Sequence, residues 1–453
     1  MSGTTTAEAW QQLDWEAVAA ESLGHFQALL RLDTTNPPGN EIAAARYLKG
    51  VLDAEGIPSD WVEPEPGRVS LIARLSGGGE PGLILSSHTD VVPHEPEFWA
   101  HDAFGGEIHD GMLWGRGTVD MKHMTAYSLM TVLLLHRLQV PLNRDVVLAA
   151  FADEEAGCWV GSRWIVANRP ELLRAGYALN EVGGFTLHLD KEAVYPVMVA
   201  ERGFAEMRMI ARGTPGHGSM PTKDHAVAKL AAAIDKVHRT LLPLHKTPIA
   251  VRFLQEVASG MDFPKNLVLQ GALIPAFSDF ILQKLVPEAR AKVFRAILHN
   301  TANPTILNAG QKINVVPSVA TCYLDCRIVP GSTPEALLRE LQSVVGPEIE
   351  LTVERSFLSV TTSTDTPLYE AITAIVPEFH PGARVIPYMV AGFTDAGALD
   401  QLGIKTYGFT PLRLPDELEF SSLFHGHDER VPVSAFTWGT RVMAELVYRF
   451  CAA

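Results

Sequence analysis

Five short stretches of this chain place acids and histidines where they could do chemistry. SSHTD carries His88 and Asp90, GRGTVDMK carries Asp120, and FADEEAG carries Glu154 and Glu155. ALNEVGG carries Glu181, and FHGHDERV near the end carries His425 and His427. An ionisable pair that ends an apolar run such as LILSSHTDVV costs desolvation free energy unless something pairs it. No one of these residues is specific by itself, because a lone His or Glu is most often exposed or hydrogen-bonded. Taken together they carry more. A carboxylate cluster beside histidines repels itself unless cations are bound. A pair of divalent ions is the natural neutraliser, and imidazole with carboxylate suits zinc, cobalt or manganese.

Such a cluster must be assembled by elements far apart in the chain. VSLIARLSG, GLILSSHTDVV and DVVLAAFADEE read as β-rich runs, and MKHMTAYSLMTVLLLHRL reads as a helix between the second and third. EIAAARYLKGVLDAEG is a further helix that opens at Asn40 or Glu41 and closes at Gly56. Buried strands alternating with helices predict an α/β sheet covered on both faces. In such a sheet, functional groups collect where strands end at their carboxyl side. The texture changes near Glu201. GFAEMRMIARG and EIELTVERSF alternate apolar and polar residues, as half-exposed strands do. INVVPSVATCYLDCRIVPG reads as two strands joined at Pro317-Ser318, and TPEALLRELQSVVG as a helix capped by Thr333. The expected organisation is a catalytic domain in two parts, 1–200 and 359–453, interrupted by a smaller α+β domain at 201–358. A helical insertion lies near 250–305 within that smaller domain.

Bulk properties narrow the function. The chain has 453 residues, 47% of them hydrophobic, enough for a large core. A net charge of −15 argues against a nucleic-acid backbone or an anionic membrane as the main partner. The N-terminus, MSGTTTAEAWQQLDWEAVAAESL, has no apolar core of a secretory signal, and the longest apolar run is too short to span a bilayer. The expected compartment is cytoplasmic. Cys322 and Cys326 sit four residues apart on an apparent strand, roughly 13 Å, too far to pair with each other. With Cys158 and Cys451 they read as buried free thiols.

The motifs SSHTDVVP, GRGTVDMK, FADEEAG, ALNEVGG, RGTPGHGSMP and HGHDERV follow in the order of the M20 metallopeptidase family and span nearly the whole chain. The chain therefore resembles that family, which holds aminoacylases, acetylornithine deacetylase, succinyl-diaminopimelate desuccinylase and glutamate carboxypeptidase. The resemblance implies a zinc-peptidase-like mixed sheet flanked by helices and interrupted by a lid. It implies two divalent ions, zinc before cobalt or manganese. His88 would ligate one metal and Asp120 would bridge both, Glu155 would ligate one metal and Glu181 the other, and His425 would be the last ligand. Glu154 would be the general base, and Asp90 would hold the second nitrogen of His88. His425 is preferred to His427 because the family places a Glu four residues after the ligand, where Glu429 stands.

On the lid, the resemblance makes His217 of GHGSMP the oxyanion-stabilising histidine. Asn314, Arg327 and Gly392 become substrate-binding residues, with Arg327 clamping a carboxylate. An N-acyl amino acid or small peptide is the implied substrate, and the lid could support a homodimer. Three positions depart from the family: Val182 and His123 stand where Gly is frequent, and Cys158-Trp159 replace small residues. Trp159 is expected in the core rather than in a pocket wall. The long lid resembles the larger carboxypeptidase and N-acyl-amino-acid hydrolase branch, and the apolar ALIPAFSDFILQKLV within it is read first as lid core or dimer contact. The competing reading is a non-catalytic relative that binds a ligand or partner, which has no need of an intact Glu154. A binuclear phosphoesterase would want D-x-H or G-D-x-x clusters, which are missing.

Overall fold

Strand Glu80–His88 is buried from Gly82 to its last residue. A run with no polar face requires cover on both sides. In the computed structural model, which describes residues 6–453, this strand pairs in parallel with Arg144–Phe151 on one side and Tyr177–Asn180 on the other. Tyr177–Asn180 pairs in parallel with Lys405–Gly408. Antiparallel strands flank this group, with Ser59–Glu65 and Arg68–Leu75 beyond Arg144–Phe151 and Ala193–Glu201 beside Lys405–Gly408. The sheet is thus mixed, and its four parallel strands deliver their carboxyl ends to one edge.

Helices supply the cover. Lys122–Arg137 is buried at every residue from Lys122 to Leu135, which explains its lack of a polar stripe. Trp15–Leu30 and Val433–Cys451 lie against it, with Phe26 and Tyr127 both stacked on Phe436 at 4.6 and 4.9 Å. A second core joins Ile72, Ile84, Val147 and Phe151 of the sheet to Ile165, Ala398 and Leu399.

The chain divides into two compact units. One runs to Val199 and resumes at Thr362–Pro387 and Thr394–Ala453; the other is Ala200–Thr361 with Tyr388–Phe393. The second unit holds a four-stranded antiparallel sheet ordered Thr301–Ala309, Val319–Ile328, Gly203–Arg212, Ile349–Phe357. Alternate residues such as Met207, Met209, Cys322 and Leu324 bury one face beneath helices Ala226–Arg239 and Pro334–Val345. Thr333 caps the latter by accepting the Ala336 N–H. All four cysteines are buried free thiols.

One expectation needs correction. The helical insertion comprises Pro248–Ser259, Lys265–Gly271, Pro275–Lys284 and Glu288–Leu298, and it ends there; residues 301–305 belong to a strand. That strand lies at the sheet edge and is largely exposed, so no alternation marks it in the sequence, and edge position is what tolerates Pro304. Among the described residues no helix is long and apolar enough to cross a membrane.

Candidate metal centre

Three neighbouring parallel strands aim their ends at one place. His88 closes its strand in register with Phe151. The strand Arg144–Phe151 runs on through Ala152 and Asp153 into a short helical turn, Glu154–Ala156. Tyr177–Asn180 leads directly to Glu181. Asp120 arrives from the glycine-rich loop ahead of helix Lys122–Arg137, and a cis peptide bond joins it to Met121. His425 arrives from the loop that precedes strand Arg430–Pro432.

The two carboxylate oxygens of Asp120 divide the histidines between them. Oδ1 is 3.0 Å from His88 Nε2, and Oδ2 is 3.1 Å from His425 Nε2. His425 Nε2 is also 3.1 Å from Glu155 Oε2, and His88 Nε2 is 3.6 Å from Glu181 Oε2. Donor atoms of His88, Glu154 and Glu181 lie within 4.8 Å of one another. His427 stands apart, its Nε2 3.6 Å from Glu95 and its ring 5.1 Å from that of Phe98.

Electrostatics shows what this cluster suits. Burial, and after it the Glu181 charge, pushes Glu154 well above its ordinary value. Burial and the Asp120 charge raise Glu155 to about 7, and burial lifts Glu181 to about 8. Burial also opposes ionisation of Asp120, but hydrogen bonds from His425 and His88 outweigh it and hold that carboxyl far below its usual range. Glu155 Oε1 is buried and has no hydrogen-bond partner among the described residues. Crowded carboxyls raised by burial and by one another, a buried carboxylate oxygen and two imidazole nitrogens together fit divalent cations.

Residues behind the cluster hold this arrangement, and Asn36, Arg68, Asp153 and Asp395 among them carried no signal in the sequence. The expected partner of His88 was the Asp90 side chain. Instead His88 Nδ1 lies 2.9 Å from the Asp90 main-chain carbonyl and 3.5 Å from its carboxylate. The carboxylate accepts the backbone N–H groups of Glu154 and Glu155 at 3.1 Å each, and the Asn36 amide at 2.8 Å. Asp90 therefore anchors the Glu154–Glu155 turn as well as the histidine. Behind it, Arg68 joins the buried Glu41 to Asp153, both at 2.8 Å. Glu429, fully buried, accepts the N–H groups of Gly117, Val119 and Asp120 and pairs with Arg116 at 2.8 Å. Asp395 accepts from Ser162, and burial raises its carboxyl to about 6.

The remaining expected residues lie in the second unit and form two groups there. His217 and Asn314 share a two-stranded ribbon, in which the Gly218 N–H donates to the Asn314 carbonyl at 2.9 Å; both residues are exposed. Arg327 lies between the rings of Phe204 and Phe393, 5.3 and 5.1 Å away, next to Gly392, whose carbonyl accepts the Arg202 N–H. The Nε and Nη2 of Arg327 already pair with Asp325, at 2.7 and 3.0 Å.

The three departures have structural counterparts. Val182 adopts φ +57°, the left-handed region that favours glycine, the residue the family resemblance led one to expect there. His123 is buried, neither ring nitrogen has a hydrogen-bond partner among the described residues, and burial lowers it to about 3. Trp159 is 44% exposed and not part of the core; it follows Gly157 and Cys158, whose positive φ values mark a turn between the buried Glu154 and helix Ser162–Asn168.

A mixed sheet whose parallel strand ends bring histidines and acids together defines a metallohydrolase. The model of peptidase family M20/M25/M40 matches residues 84–449, and the chain belongs to that family of metal-dependent hydrolases. It is 29% identical over 386 residues to the human N-fatty-acyl-amino acid synthase/hydrolase PM20D1, covering 82% of this chain and 75% of that one. It is 27% identical over 436 residues to aminoacylase-1 of Sus scrofa, covering 93% of each. An M20 family metallo-carboxypeptidase from Sulfolobus solfataricus shares the fold, with a TM-score of 0.72 at 18% identity over 95% of this chain and 99% of that one.

Proposed function

We propose that this chain hydrolyses the amide bond of N-acyl amino acids or small peptides that carry a free carboxylate, using two zinc-class divalent ions. The observation that carries this reading is Asp120, with one histidine at each oxygen and the buried glutamates around it. His88 and Glu181 would hold one ion, His425 and Glu155 the other, and Asp120 both. Bound there, such ions supply Lewis acidity to the scissile carbonyl and to an attacking water. Glu154 takes the water's proton and returns it to the departing amine nitrogen, leaving a carboxylic acid and an amine. A carboxyl raised from its ordinary value is suited to that transfer. On the second unit, His217 is assigned to the oxyanion, and Asn314 and Gly392 to substrate binding. The fatty-acyl-amino acid and aminoacylase relatives favour an N-acyl amino acid.

His425→Ala is expected to remove metal that His427→Ala retains. Metal analysis of the two purified variants checks this, and equal content in both would reassign the last ligand.

Arg327 is the residue assigned to the substrate carboxylate. Asp325 occupies one side of its fork, and the outer pair of N–H groups remains for a ligand. A charge-assisted pair contributes roughly 1.5–3 kcal/mol, or about 10–150-fold in kcat/KM. Amidating the substrate carboxylate should cost that factor with the wild-type enzyme and far less with Arg327→Ala. The comparison needs a panel of N-acyl amino acids, each as acid and as amide. An equal penalty in both enzymes removes Arg327 from carboxylate recognition, and no turnover of any member removes the substrate class.

A further inference from the structure

A second histidine cluster lies outside the centre described above and shares no residue with it. The imidazoles of His101 and His109 are stacked, their centroids 3.7 Å apart and their planes within 7°. Glu107 Oε2 is 2.9 Å from His109 Nε2. One donor atom from each of the three residues lies within 4.8 Å of the other two.

Local structure explains the convergence. Ile108–His109 and Met112–Trp114 form a tight hairpin, and both turn residues, Asp110 and Gly111, have positive φ. An Asp-Gly pair is suited to that turn. Glu107 and His109 are two residues apart, so an extended chain points both side chains to the same face. His101 comes from the preceding loop, which is tied down where the Ala100 N–H donates to Asp428 at 2.7 Å. Its ring meets Trp114 edge-on at 4.5 Å, and the Arg430 guanidinium lies 4.6 Å from the Trp114 ring.

We propose that His101, Glu107 and His109 form a third divalent-cation site, of the zinc class, with a structural role. Two imidazoles and a carboxylate are a zinc donor set that leaves a fourth position for water. An ion bound by an imidazole sits in the plane of its ring, and parallel planes have no common point. Binding therefore requires one ring to turn out of the stack. The exposure of the His109 and Glu107 side chains, 37% and 57%, gives room for that turn. The hairpin is also well placed to transmit the effect. Trp114 is followed directly by the loop that carries Asp120, and the Gly115 N–H donates to the Glu429 carbonyl at 3.0 Å. An ion here would brace that loop from behind without touching substrate.

Zinc titration of the full chain by calorimetry, with metal analysis after dialysis, tests the site in wild type, the His101→Ala/His109→Ala double variant and Glu107→Gln. The wild-type chain should bind one more zinc than the double variant, whatever number the first centre takes. Glu107→Gln, an exposed substitution with little effect on folding, should weaken that extra ion by about tenfold or more. The zinc-dependent rise in Tm should shrink in the double variant, while its hydrolase activity at saturating zinc persists. Equal zinc content in wild type and double variant overturns the site, as does an extra equivalent that fills only at millimolar zinc.

Discussion

Glu154→Gln should leave the metal content of the protein unchanged and reduce turnover by about 10²–10⁴-fold, the range of a general base's contribution. Glutamine keeps the size and an acceptor oxygen but cannot carry the proton. The turn itself should survive, because Asp90 holds it through the backbone N–H groups of Glu154 and Glu155, which the substitution leaves in place. The side chain is buried, and the substitution preserves its volume there. Single-turnover kinetics together with metal analysis separates the two contributions. Near wild-type turnover would end the assignment of Glu154 as base. A matching loss of metal would make it a ligand instead.

The second large effect belongs to a residue with no proposed chemistry. Glu429→Ala removes the buried carboxylate that pairs with Arg116 and strands the N–H groups of Gly117, Val119 and Asp120. Breaking a buried ion pair by deleting one partner costs about 3–5 kcal/mol, because the other charge stays buried. Glu429→Gln keeps one acceptor oxygen and should cost less. Denaturant unfolding of the metal-free protein measures the cost without interference from ligand binding. The same change loosens Asp120, so metal affinity should fall as well. A stability loss below about 1 kcal/mol in Glu429→Ala would show that the loop is held by other contacts.

Much of the fold is legible in the chain because it depends on residue periodicity and local chemistry. LILSS has no polar face and becomes a central strand; GFAEMRMIAR alternates and becomes a half-exposed one. Thr333 before a proline starts a helix. The acids and histidines were recognisable because carboxylates at the ends of apolar runs need an explanation wherever they occur. The strand Thr301–Ala309 was not legible, since an exposed edge places no demand on the face of each residue.

What the tertiary structure alone decided is the division of labour among the polar residues. His425 and His427 are one residue type, told apart in the sequence only by the family's spacing to Glu429, and it is the packing that takes one to Asp120 and the other to Glu95. Asp90 looked like the partner of His88, and its carboxylate went largely to a turn more than sixty residues away. Arg327 looked available to a ligand and is found already paired to Asp325. Glu429 sits about three hundred residues from the loop it holds. The sequence alone determined which side chains could accept, donate or ligate, because those capacities belong to the residue type. Which partner each one meets depends on how distant segments pack, and burial then makes that partner decisive, because an unpaired polar group in the interior is costly.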